Sequence, residues 1–348
     1  MAAIADLRDS LKNKLPFRSD SGFTRSSKSP SKSWLGVILV IALLIFLLCW
    51  YWSREPDVFW VNWEVDGKPA PRGYATTDTL IRVAETLLDK PGGYLSNDLM
   101  PPSVFLDNIP NWEFGVLVQV RDLAKALRND YSRSQSQSTE NNNVASAEPA
   151  FNFDNDSWIL PSSESQYREG VKHLKAFRDQ LTNTKARDAQ FYARADNLRE
   201  WLAVVEKRLG SLSQRLSASV GQNRVNTDLA GEKAAENATP RPDDIEVKTP
   251  YFEIDDVFFE ARGSAWALVH FLRAAEYDLK QVLDDKNASV SLRQIIRELE
   301  GSLGAVYSPI ILNGGGYGFF ANHSLVAASY LSRANSAVIN LRELLDQG

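Results

Sequence analysis

Cysteine is almost missing from this chain. Cys49 is the single one in 348 residues, and it lies inside an apolar run. Beyond that run there is no thiol, so a disulfide framework, a Cys-based zinc site and a cysteine nucleophile are excluded there. Histidine is sparse too. His173, His270 and His323 stand far apart, and none has a second His or a carboxylate in a metal spacing. No Gly-x-Ser-x-Gly, kinase or P-loop signature occurs. The tract 312–322 (LNGGGYGFFAN) has the glycines of a phosphate cradle without the Lys-Ser/Thr, and reads as a loop needing positive φ. The expectation is no catalytic set, no metal and no cofactor. A basic excess is also lacking: the net charge is −5, which speaks against a nucleic-acid partner.

What is there is one long uncharged segment. Trp34 to Trp52 reads WLGVILVIALLIFLLCWYW. As a helix it spans roughly 28 Å, close to the ~30 Å hydrocarbon core of a bilayer. Aromatic residues bracket it: Trp34 on one side, Trp50, Tyr51 and Trp52 on the other. A cleaved signal peptide would have a shorter apolar core and a small-residue cleavage site, whereas this run ends in bulky rings. No second run of comparable length follows, so one crossing is expected. Residues 1–33 hold seven basic and three acidic side chains, a net +4, which leaves −9 beyond them. Positive charge stays cytoplasmic, so the N-terminus is placed inside and the rest outside. The missing disulfides favour a bacterial periplasm over a secreted eukaryotic domain, and nearly 300 residues can bury a core without staples.

The reading thus gives a cytoplasmic basic tail (1–33), a transmembrane helix (34–52) and a periplasmic helical domain (53–348). Within the tail, Ile4, Leu7, Leu11 and Leu15 suggest a short amphipathic helix, and residues 18–33 a flexible tether. After the span, residues 57–65 alternate enough for a short strand. Helices are expected over about 77–89, capped by Thr77, and over 112–129, 254–283, 290–303 and 325–345. Residues 164–219 read as one long helix. From Phe191 its apolar residues step 4-3-4-3, through Leu198, Leu202, Val205, Leu209, Leu212 and Leu216, a coiled-coil seam. Residues 132–157 and 220–249 read as mobile loops. The fold class is all-α: a helical bundle with a long hairpin-like coiled-coil arm.

The candidate surface is 90–138. It mixes turn residues with Trp and Arg, and Trp, Tyr and Arg dominate binding hot spots. Tyr94, Asp107, Asn108, Trp112, Glu113, Arg121, Arg133 and Gln135 are its candidate residues. The alternative is that Tyr94 and Trp112 pack this segment onto the bundle while its polar residues cap helices, with Pro110 or Asn111 opening the helix. The acidic cluster Glu253, Asp255, Asp256 and Glu260 looks like paired carboxylates for acid–base work, but reads better as the acidic N-terminus of a helix.

Three tracts resemble one family. The stretch GYLSNDLMPPSVFLDNIPNWEFGVLVQVRDLAKALRNDYSRSQSQS, the N-terminal anchor and EARGSAWALVHFLRA (260–274) are similar to the bacterial domain-of-unknown-function 2333 family. The resemblance implies a single-pass envelope protein and carries no catalytic residues with it. Two functions stay open. One is a membrane-anchored scaffold or adaptor with an envelope protein partner. The other is an envelope enzyme or binder acting on peptidoglycan or another glycan, with Trp112 and Tyr94 stacking on sugars and Asp107, Glu113 or the 253–260 carboxylates as acid and base.

Overall fold

A computed structural model of the chain describes residues 32–347 except 62, 66, 135–139, 184–188, 226–243, 309 and 316. The amphipathic helix expected near the N-terminus and almost all of the tether lie outside the described residues. Helix α1, Lys32–Trp52, contains Trp34–Trp52, the one described helix long and apolar enough to cross a membrane.

The chain then runs beside the helix that organises the bundle, α7 (Ile254–Asp278). The strand expected over 57–65 shrinks to β1 (Glu64–Val65), which pairs with β2 (Lys68–Pro69) beyond it. Asp57 and Phe59 instead find partners on α7. Asp57 O accepts from Trp266 Nε1 at 3.3 Å, and Phe59 N–H donates to His270 Nε2 at 3.1 Å. Helix α2 (Tyr74–Asp89) starts at Gly73, not Thr77. Its first N–H groups point at Asp278, which accepts from Gly73 N (2.9 Å) and Thr76 N (2.7 Å). A buried carboxylate at a helix N-terminus satisfies orphan donors and the macrodipole together.

Helix α3 (Asn108–Ala126) lies across α7 and ends in a π-turn, Leu127–Tyr131. Asp107 caps α3, so the helix opens a little before Pro110. Small residues allow the crossing. A Cβ on Gly115 would collide with the Glu260 carbonyl, and one on Gly263 with the Trp112 carbonyl. Trp112 fills the space beside this contact, its ring 5.2 Å from that of Trp266.

Part of the expected loop at 132–157 is a helix, α4 (Asn142–Phe151). Its few apolar residues, Val144, Ala147 and Phe151, fall at helical spacing and are buried. The expected long helix at 164–219 is two: α5 (Ser163–Thr182) and α6 (Ala195–Ser217). Residues 192–194 are not helical, and Tyr192 N–H donates to Tyr131 O at 2.7 Å. Phe191 stacks on Tyr131 with ring centroids 4.8 Å apart.

Two short helices and one long one complete the bundle: α8 (Lys280–Asp285), α9 (Ser289–Ser302) and α10 (His323–Asp346). The heptad seam of α6 is buried inside the bundle and not in a projecting arm. It packs on α10 in antiparallel fashion: Arg199 pairs with Asp346, Arg342 with Glu206, and Ser213 Oγ reaches Ala328 O at 3.3 Å. The described ends of the 220–249 loop form an antiparallel hairpin, β3 (Gln222–Val225) with β4 (Asp244–Val247). In the glycine tract, Gly314 is required by close approach to the Phe320 carbonyl, not by positive φ.

His270 provides a pH test of this packing. Its Nδ1 lies 2.7 Å from Trp266 O, leaving Nε2 as the acceptor for Phe59. Burial pulls the imidazole down to about 4, although the Trp266 bond opposes this. The neutral ring therefore contributes stability fully above its ordinary 6.5 and loses it as pH falls toward 4. An NMR titration of the His270 ring is expected to give a midpoint of about 4. An ordinary midpoint would contradict the buried tautomer.

Candidate functional site

Helix α6 lies antiparallel to α3 but leans away from it toward α10, and the space between α3 and α6 is a cleft of about 610 Å³. Two ion pairs bridge its walls. Arg208 holds Asp122 with two bonds of 2.8 and 3.0 Å, and Arg215 holds Glu260 of α7 with 2.6 and 2.8 Å. At the other end Lys125, Asn129, Asp130, Glu200 and Lys207 line it. Burial, and then the charge of Glu200, pushes the Asp130 carboxyl up, opposed by Lys125. The cleft thus presents both signs of charge around an apolar floor that includes Trp201 and Leu212.

Gln119 lies in that floor. It is 1% exposed, and neither its amide oxygen nor its amide nitrogen has a hydrogen-bond partner. Among the described residues no other side chain has two such atoms. A buried unpaired polar group costs about 1–3 kcal/mol, and each one in a folded protein calls for an explanation. In sequence Gln119 sits between Val116, Val120 and Leu123, at the 3–4 spacing that marks the core face. A glutamine at a core position was the available signal, and the reading of 90–138 passed over it.

Of the eight residues singled out from sequence, the seven described ones do not come together at one place. Tyr94 is buried, with its hydroxyl donating to Asn155 O at 2.9 Å. Trp112 is buried at the α3–α7 crossing. Glu113 is buried and pairs with Lys90, also buried. It further accepts from Leu95 N at 2.9 Å and Ser96 N at 2.8 Å. Burial pushes its carboxyl up, against the pull of Lys90. Arg121 donates to Phe151 O and Phe153 O, both at 2.7 Å, and so ties α4 to α3. Arg133 pairs with Glu140 at 3.0 Å. Asp107 and Asn108 open α3, with Asp107 exposed. Gln135 lies outside the described residues.

Of the carboxylates named for acid–base work, three already have partners or a capping role, and the rest crowd at the start of α7. Glu113 is enclosed with Lys90, Glu260 is bound by Arg215, and Asp107 caps a helix. Asp256 accepts from Asn111 Nδ2 at 2.6 Å. Burial and then Asp255, Asp107 and Glu253 push it up to about 6, a crowd of acids at a helix start.

Sequence comparison supplies the identity of the chain. Residues 27–348 match the family described as "Uncharacterized protein conserved in bacteria (DUF2333)". The chain belongs to the DUF2333 family. No curated protein and no solved structure matches it. The cleft of this DUF2333 protein contains no His or Cys among its described lining residues. It presents an amide able to give and accept hydrogen bonds, set among fixed charges.

Proposed function

We propose that this DUF2333 protein is a membrane-anchored adaptor of the bacterial envelope, and that the α3–α6 cleft holds an extended peptide segment of a protein partner. Helix α1 is the anchor, with residues 1–33 cytoplasmic and 53–348 periplasmic. The observation that carries the reading is the buried, unpartnered Gln119 amide in a charged cleft. A peptide backbone offers the N–H and C=O that such an amide lacks, and the charges on both walls suit its side chains. The engagement of Glu113 by Lys90 and of Glu260 by Arg215 supports binding over glycan hydrolysis, which needs two available carboxyls flanking one bond.

Two experiments test this. Gln119→Leu keeps the volume and removes the unpaired amide. It is expected to stabilise the full-length protein by about 1–3 kcal/mol in denaturant melts. A loss of stability would mean that the amide is already satisfied within the fold, and the argument for a ligand would fail. For topology, alkaline phosphatase fused after Gly348 is expected to be active, because the basic flank keeps the N-terminus inside. An inactive fusion, alongside a fluorescent cytoplasmic reporter at the same site, would reverse the orientation.

A further inference from the structure

Residues 55–73 and α7 advance in the same direction. Glu55 meets Arg262 (2.7 Å), Phe59 meets His270 (3.1 Å) and Gly73 meets Asp278 (2.9 Å). The start of α7 therefore points back toward the end of α1, roughly 12 Å before Arg262 along the helix. Four loops gather at this end. Pro250–Glu253 leads directly into α7. Leu99–Leu106 leads into α3, whose Asn111 bonds Asp256, and its Pro102 carbonyl lies 3.9 Å from Cys49 Sγ in the last turns of α1. The α9–α10 connection begins where Arg262 bonds the carbonyls of Ser302 and Gly304, and it ends at His323, 6.3 Å from Phe258. The fourth, around Trp158–Leu160, is tied to Asn97, which stands two residues before the Leu99–Leu106 loop and donates to Ser157 O at 2.9 Å.

Each of these loops carries large apolar side chains with no cover. Met100, Phe105, Leu160, Phe252, Tyr317 and Phe319 are all well exposed. One exposed apolar residue needs no explanation, but several loops of them at one end mark an interaction surface. Aromatic rings on loops beside the end of an apolar span match the headgroup zone, where amphipathic and aromatic side chains settle.

We propose that these loops form a membrane-resting face, with which the helical domain sits on the leaflet from which α1 emerges. The partner is the lipid of the same bilayer, because Cys49 of the span itself touches one of the loops. This rests on α1 being a membrane span.

The test uses the full-length protein with Cys49→Ser, reconstituted in vesicles of phosphatidylethanolamine and phosphatidylglycerol. Single cysteines are introduced by Phe105→Cys, Phe252→Cys and Phe319→Cys. Val290→Cys is the control, an exposed apolar site at the start of α9, and Leu43→Cys reports on the span. Each is labelled with an environment-sensitive fluorophore, and quenching by nitroxide-bearing phospholipids is read. All five sites are exposed, and circular dichroism checks that each variant is folded. The three loop labels are expected to be quenched severalfold more than the label at Val290, as is the label at Leu43. Loop labels at the Val290 level with Leu43 quenched would overturn the resting face and leave the anchor standing; a second copy covering the loops would give this result. An unquenched Leu43 label would overturn the anchor and the face together.

Discussion

Glu113→Ala is expected to destabilise the domain by about 3–5 kcal/mol, the cost of leaving a buried charge without its partner. Lys90 and Glu113 are both buried, so water cannot replace the lost carboxylate. The loop over 90–96 also depends on it, since Leu95 N, Ser96 N and Ser96 Oγ all donate to Glu113. Lys90→Met combined with Glu113→Leu removes both charges and is expected to recover the part of the loss due to the unpaired charge, but not the part due to the Leu95 and Ser96 donors, which stay without their acceptor. Denaturant melts of the full-length protein in detergent measure both. A loss below about 1 kcal/mol for Glu113→Ala would place the pair in solvent instead.

The second large effect lies at the α3–α7 crossing. Gly263→Leu drives a side chain into the Trp112 carbonyl. Overpacking against side chains costs about 1–3 kcal/mol, and here the obstacle is backbone, so a loss of ~3 kcal/mol or more is expected. Gly210→Ala is the contrast. Its new Cβ would meet only Asn335 Nδ2 at 3.5 Å, an ordinary contact. Within a helix that substitution is expected to stabilise by about 0.4–1 kcal/mol. Equal effects at the two glycines would refute the close crossing.

Helices with a regular apolar face were legible in the sequence. The 254–283 pattern became α7 with α8, and the seam from Leu198 to Leu216 is the buried face of α6. Spacing could not reveal the break after Thr182, because that depends on Phe191 finding Tyr131, a distant residue. Nor could it place 90–138. Glu113 looks solvent-facing until Lys90 is seen folded against it, and Trp112 looks free until Gly263 lets α7 reach it. A buried ion pair and an exposed one are the same letters. Gln119 was legible as a polar residue at a core position, but the cleft that gives it meaning exists only once α6 leans toward α10.

The most direct test of the adaptor reading is photocrosslinking in living bacteria. A benzophenone amino acid replaces Lys207 or Asn129 at the exposed rim of the cleft, or Val290 away from it. The expected result is one discrete adduct from Lys207 and Asn129, none from Val290, and loss of that adduct when Gln119→Leu is added to a protein that remains folded. No adduct at the rim, or an adduct that persists with Gln119→Leu, would contradict the cleft as the place where this protein binds its partner.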